Sequence, residues 1–368
     1  MFLGLLFALA GCGTAPVRPD ANKVLPPNWD SDLGPAHEIE NIVIARPTNN
    51  VAILPALPTN PPPPLRANPA PLVTAESGMI SLNRWAAQNG LGAVRVLPLP
   101  PTVAYTIKTS HGNFTIRAGS LVAYWDRLEV RLGFPPQLLG DQIFLHTLDL
   151  KKVLEPLAHG TAVVTPANRL VVVDPGHGGA NTGTRNVVTG RHEKDYTLDW
   201  AKRLAPLLEQ SGWRVVLTRT NDLPLSLAER VAFAEARHAD LFLSLHFNAT
   251  GDGNQGPTGL ETYCLTPSGM PSSLTRGYAD DSRQVFPNNA YDVDNLRYAV
   301  RLQRALLQVN GHNDRGVRHA RFLDVLQGHH HPAVLIEAGY LSNPAEAKRI
   351  AEPEYRQKLA EAVAKALE

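Results

Sequence analysis

Four ionisable residues stand at the ends of apolar runs or beside a glycine-rich turn. His177 lies in Asp174-Pro175-Gly176-His177-Gly178-Gly179, directly after Leu170-Val171-Val172-Val173. His246 follows Leu241-Phe242-Leu243-Ser244-Leu245, and Glu337 follows Val334-Leu335-Ile336. Glu193 opens a helical pattern behind the glycine-rich stretch. Two histidines and a carboxylate make a known catalytic zinc set that leaves a fourth position for water. The metal would acidify that water and polarise a carbonyl, and a carboxylate outside the ligand set would carry the proton to the leaving group. Glu337 suits that last role, because a residue at the end of a buried strand is rigidly held. Each residue alone has a plainer reading. A histidine after a strand is commonly a solvated loop residue, a first-turn glutamate is favoured by the helix dipole, and Glu337 could pair with Arg315 or Arg318. The joint placement carries the metal reading. The glycine-rich stretch that follows 170–173 matches neither G-x-G-x-x-G nor the phosphate-binding P-loop pattern.

These residues need elements that bring them together. After about Pro166 the chain alternates strand-like and helix-like segments. A continuous apolar run at 170–173 marks a strand buried on both faces. A helix covers Glu193 to Gln210 and stops at Ser211-Gly212. Ser226 and Glu229 form a capping-box pair opening the next helix. Asn343-Pro344 supplies an N-cap and first turn near the end of the chain. This pattern predicts an α/β fold, a mostly parallel twisted sheet with helices on both faces. Ligand crevices in such sheets lie outside the carboxyl ends of the strands, where His177, His246 and Glu337 fall.

The rest of the chain is read in three parts. Residues 1–12 combine a short apolar run with Leu9-Ala10-Gly11-Cys12, which resembles the lipobox of bacterial lipoproteins, although no Lys or Arg precedes the run. The expectation is a signal peptide with lipidation at Cys12 and a membrane anchor. Residues 13–75 hold Pro61-Pro62-Pro63-Pro64 and read as a disordered, semi-rigid Pro-rich linker. Residues 76–160 read as a small α+β domain of unknown role, with a hairpin around Ser110-His111-Gly112. The fourth part, 167–368, is the expected catalytic domain. With 35 basic against 34 acidic residues among 368, no nucleic-acid footprint is present. Two cysteines exclude a disulfide framework, and Cys264 reads as a buried free thiol.

Val173-Asp174-Pro175-Gly176-His177-Gly178-Gly179, Glu193-Lys194 and Leu217-Thr218-Arg219 with Asp222 resemble the type-3 family of zinc-dependent N-acetylmuramoyl-L-alanine amidases. The resemblance continues through Ser244-Leu245-His246-Phe247-Asn248-Ala249, Asp314-Arg315-Gly316-Val317 and Pro332 to Glu337, in family order. It implies a Zn2+ ion held by His177, Glu193 and His246, with His192 a competitor for the second ligand, and Glu337 as catalytic acid/base. It also implies hydrolysis of the amide between N-acetylmuramic acid and L-alanine in peptidoglycan, in the periplasm or another extracytoplasmic part of the cell envelope. Asn248 is a candidate substrate contact, Arg219 and Arg230 read as structural, and an unknown activator is a possible partner. The alternatives are a zinc peptidase acting on the stem peptide and a non-catalytic wall-binding protein. Two features depart from the pattern. A polar loop over 265–294 reads as a wall of the groove, with no helical self-inhibition expected, and His329-His330-His331 reads as a solvated loop in preference to an adventitious metal site.

Overall fold

The computed structural model describes residues 78–368 apart from 99–102, 165, 167, 252 and 311–312. Cys12, the expected signal peptide and the Pro-rich segment 13–75 lie outside the described residues.

The first half contains β1 (Met79–Ser81), α1 (Leu82–Gln88), β2 (Arg95–Leu97), β3 (Ala104–Lys108), β4 (Asn113–Arg117), β5 (Val122–Trp125), β6 (Leu128–Arg131), β7 (Gln137–Leu139) and β8 (Gln142–His146). Then follow α2 (Thr147–Asp149), a π-helical stretch Leu150–Leu154 and α3 (Glu155–Ala158). Residues 147–158 are helical without a break, with a π-helical stretch in the middle and Pro156 in the last turn. The second half contains β9 (Leu170–Pro175), α4 (Glu193–Gln210), β10 (Arg214–Leu217), α5 (Leu227–Glu235), β11 (Leu241–Asn248) and β12 (Leu260–Cys264). It closes with α6 (Asp292–Asn310), β13 (Asp314–His319), α7 (Asp324–Gln327), β14 (Ala333–Tyr340), α8 (Pro344–Ala351) and α9 (Pro353–Leu367).

Local chemistry accounts for several of these boundaries. Ser226 and Glu229 make both reciprocal bonds of the capping box at α5. The Asn343 side chain accepts from the Ala345 and Glu346 amides to open α8. Gly212, at φ +83°, lets the chain leave α4 in the left-handed region.

The main sheet runs β10-β9-β11-β14-β12-β13-β6-β5-β4-β3-β2, and β1-β8-β7 form a separate small sheet. From β10 to β14 the neighbours are parallel, β12 lies antiparallel to β14, and β13 parallel to β12. The strands of residues 95–131 extend the sheet of the second half through the pairing of Val317 with Val130. The N-terminal unit is therefore built onto the edge of the second half. Their apolar interiors are continuous as well, from Trp125 and Leu154 through Leu306 to Leu245.

Alternation along the central strands divides their side chains between two cores. Val171, Val173, Leu243, Leu245, Val334 and Ile336 join the larger core with residues of α4, α6 and α9. Val172, Phe242, Ala333 and Leu335 join a smaller one with Ala234, Val325 and Leu326. Counting onward in the same phase puts Asp174, Ser244, His246 and Glu337 on the smaller-core side, at the carboxyl ends of their strands.

Two expectations change. Tyr291 and the residues before it form a short 3-10 turn, and α6 begins at Asp292, so the expected loop ends near Phe286 rather than 294. The histidine run is not a solvated loop: His329 and His331 are 0% and 6% exposed, and only His330 faces solvent. Packing of α7 against α5 covers them, which no local pattern encodes.

Candidate active site

His177 sits just past β9 with φ +65°, a left-handed conformation rare for a side chain larger than glycine. Such a conformation costs on the order of 1–3 kcal/mol and persists only where its surroundings impose it. Here the Arg230 guanidinium donates to the His177 carbonyl at 2.8 Å, and Gly178 N–H donates to the Asn181 carbonyl at 2.8 Å. Asn181 Oδ1 stands 2.8 Å from His177 Nδ1 and directs Nε2 towards Glu193 Oε2 at 3.0 Å. His246, from the end of β11, brings Nδ1 to 3.1 Å from Glu193 Oε1. The Glu193 carboxylate also accepts the Phe247 and Thr184 amides, at 2.9 and 3.1 Å. One donor atom from each of His177, Glu193 and His246 lies within 4.8 Å of the others, and all three residues are buried. This group could hold a metal ion.

Two glycines make room for that approach. A Cβ on Gly176 would stand 2.2 Å from His246 Cε1, and one on Gly183, at φ +63°, would stand 2.7 Å from Glu193 Oε2. Burial alone would raise the Glu193 carboxyl, but His177 and His246 outweigh it and hold the carboxyl below its ordinary range.

Beneath the site lies a buried polar frame. Asp174 receives Arg230 Nη1 at 2.6 Å, Thr218 Oγ1 at 2.5 Å and Ser244 Oγ at 3.0 Å. Arg219 donates to the Pro175, Gly176 and Lys194 carbonyls at 2.9, 2.8 and 2.8 Å. Both arginines thus spend their donors on the backbone that carries His177 and Glu193.

Glu337 pairs in register with His246 across β14 and β11. Arg315 and Arg318 do not neutralise it. Both turn to Glu261 on β12, at 3.6 and 2.8 Å. Glu337 Oε2 is buried without a hydrogen-bond partner among the described residues. Burial, reinforced by the Glu193 charge, pushes this carboxyl well above its ordinary range, while Arg276 pulls the other way.

Asn248 is 5% exposed, and its amide is committed inside the protein. Its Nδ2 donates to Glu261 at 2.6 Å and its Oδ1 accepts the Ala249 amide at 2.8 Å. Asn248, the expected substrate contact, here braces two strand ends. His192 stands at the N-cap position of α4 without a side-chain capping bond and forms an isolated bridge with Arg185, outside the metal-type group.

Three participants escaped the sequence reading. Asn181, four residues after His177, was within reach of a local search for a ring-orienting partner. Glu261 hid in an ordinary strand pattern. Arg276 comes from the polar loop and acts electrostatically on Glu337, Glu261 and Tyr263, with no local signal to mark it. The loop around it is packed: Met270 is fully buried, and Arg321 is paired with Asp280 and donates to the Met270 carbonyl at 2.7 Å.

Comparison with known proteins follows the same half of the chain. The N-acetylmuramoyl-L-alanine amidase LytC of Bacillus subtilis is 34% identical over 193 residues, 52% of this chain and 34% of its own length. The amidase AmiA of Salmonella typhimurium is 30% identical over 223 residues, 54% of this chain and 75% of its own. This chain thus spans about a third of the first relative and three quarters of the second. Among solved structures, the amidase AmiC2 of Nostoc punctiforme is 33% identical, with 54% of this chain and 94% of that one covered at a TM-score of 0.44. The family profile described as N-acetylmuramoyl-L-alanine amidase matches residues 171–368, more than half of the sequence, and the chain belongs to that family.

Proposed function

We propose that this protein hydrolyses the amide between N-acetylmuramic acid and L-alanine in peptidoglycan, with zinc held by His177, Glu193 and His246 and with Glu337 as general acid/base. The observation that carries the reading is the convergence of three buried donors within 4.8 Å beside a buried carboxyl whose Oε2 has no hydrogen-bond partner among the described residues. The donor set fits zinc. Two imidazole nitrogens and a carboxylate are ligand types that zinc takes, and one such atom from each residue lies within 4.8 Å of the others, His177 facing Glu193 Oε2 and His246 facing Oε1. Asn181 Oδ1, an acceptor, keeps the proton on His177 Nδ1 and turns the Nε2 lone pair inward.

Zinc in such a site supplies Lewis-acid polarisation of a carbonyl and a water made acidic near neutrality. The chain supplies the rest. Glu337, lifted by burial above the ordinary carboxylate range, can take a proton at Oε2 and return it to the departing amine. Asn248 and Glu261 keep the ends of β11, β12 and β14 in register. The packed loop with Arg276 forms one wall of the groove and sets positive charge against Glu337. The envelope location and an anchor at Cys12 belong to the same proposal. A Cys12→Ala protein still recovered in the membrane fraction would remove the anchor from it.

The test is digestion of purified peptidoglycan, with mass analysis of the released fragments. Stem peptides beginning at L-alanine, lost on chelation and restored by zinc, are the expected products. Fragments cut within the stem would make the protein a peptidase, and no release with retained wall binding would make it a binding protein. Glu337→Gln should keep its zinc and lose about 100- to 10,000-fold in rate. A rate within threefold of wild type would overturn the assignment of Glu337.

A further inference from the structure

A second group of metal-type side chains lies at the far end of the strand pair that carries His246 and Glu337. β11 and β14 pair His246 with Glu337 at one end and Phe242 with Ala333 at the other. Four residues at ~3.3 Å each separate the ends by about 13 Å. At the far end, Glu235, the last residue of α5, meets His329 and His331 from the turn before β14. One donor atom from each of these three lies within 4.8 Å of the others.

The hydrogen bonds around the group prepare it for a cation. His329 Nε2 is 2.9 Å from the Val325 carbonyl, an acceptor, so that nitrogen carries the proton. Nδ1 is then left with its lone pair, buried, without a hydrogen bond, and 3.6 Å from Glu235 Oε1. This is the arrangement by which a backbone carbonyl orients a metal-binding imidazole. His331 brings Nδ1 to 3.2 Å from the same carboxylate oxygen. Glu235 is itself aimed by the His330 amide, which donates to Oε1 at 3.0 Å. The Phe242 ring closes the inner side, its centroid 4.2 Å from that of His329.

The His329 Nδ1 lone pair and the Glu235 carboxylate oxygen face each other and repel, and a cation between them reverses the sign. The spacings of 3.2 and 3.6 Å bracket the about 3.3 Å edge of a tetrahedral zinc site. We propose that Glu235, His329 and His331 form a second divalent-metal site, structural in role and suited by its donors to zinc. A fourth ligand comes from the exposed side, where His330 stands. The site clamps the end of α5 to the start of β14, against the smaller core that includes Phe242, Ala333 and Leu335. It stands apart from the proposed catalytic zinc and does not depend on it.

The test counts zinc in the full chain after dialysis against zinc buffered by a weak chelator, with cobalt(II) as an optical probe of coordination. Two zinc ions per wild-type chain are expected, and one in Glu235→Gln and in His331→Gln. Each variant should unfold at a lower temperature than wild type in zinc, with the gap closing in strong chelator. Glu193→Gln should keep the second ion. If a single wild-type zinc survives Glu193→Gln and is lost in Glu235→Gln, the second site stands and the catalytic assignment falls. The proposal is overturned if Glu235→Gln and His331→Gln retain wild-type zinc content, or if Glu193→Gln removes all of it. It is also overturned if the ion at this group washes out in the buffered dialysis, as an adventitious metal would. Glu235, whose side chain is 30% exposed, tolerates substitution should His331→Gln fail to fold.

Discussion

At the residue scale, the site depends on side chains that bind nothing themselves. In the proposed zinc site His177 offers Nε2, and Asn181 Oδ1, 2.8 Å from Nδ1, holds the ring for it. Removing a group that orients a metal-binding histidine typically lowers metal affinity about 10- to 100-fold. Asn181→Ala should therefore weaken zinc binding by that factor while the far-end histidine cluster is untouched. A chelator-competition titration measures it, and unchanged affinity would mean the ring is oriented by its backbone alone. Gly176 and Gly183 act by omission, since a Cβ at either would enter the space of the His246 ring or the Glu193 carboxylate.

At the scale of elements, β9 and α5 are joined by the buried pair of Asp174 and Arg230, at 2.6 Å. Breaking a buried pair from one side leaves a charge without compensation, at a cost of about 3–5 kcal/mol. Arg230→Met should lower the denaturant midpoint correspondingly, and a loss under about 1 kcal/mol, the worth of an exposed pair, would show that water reaches Asp174. β13 carries a pH signature of its own. Burial pushes its His319 from the ordinary 6.5 down to about 4. The unfolded imidazole takes a proton first as pH falls, so the stability from keeping His319 neutral is present above about 6.5 and is lost towards about 4. His319→Gln should flatten the dependence of Tm on pH across that window. A curve parallel to wild type would assign the acid sensitivity elsewhere.

At the scale of the whole molecule, the two halves share one sheet. The joint consists of the Val317–Val130 pairing, the Glu129 amide donating to Asp314 at 2.7 Å and the Lys152–Asp292 ion pair at 3.0 Å. Removing residues before Pro166 would expose the edge of β13 and the apolar side of α6, and exposed edges invite association. The shortened chain should keep its cleavage activity per folded molecule, because every proposed ligand lies after residue 170. It should unfold at a lower temperature and associate at higher concentration. Sedimentation together with peptidoglycan digestion reads both, and loss of activity in a monomeric, folded fragment would place part of the site in the first half.

Much of this was legible in the chain itself. The run Leu170–Val173 could only be a doubly buried strand, and the Ser226–Glu229 pair and Asn343-Pro344 marked helix starts through bonds made within a few residues. His177, Glu193, His246 and Glu337 were legible because strand ends and a helix start are local features, and parallel strands bring such ends together. What local pattern could not specify was the partner of each charge. β13, Asp314-Arg315-Gly316-Val317-Arg318-His319, has a single aliphatic residue and reads as surface. It is half-buried, with Glu261 on the next strand taking up Arg315 and Arg318 in place of Glu337. Arg276 and the far-end histidines likewise acquired their surroundings only when distant segments packed. Periodicity and caps are encoded over a few residues, whereas burial and pairing of charge are settled by contacts between residues far apart in sequence, and these the tertiary structure alone decides.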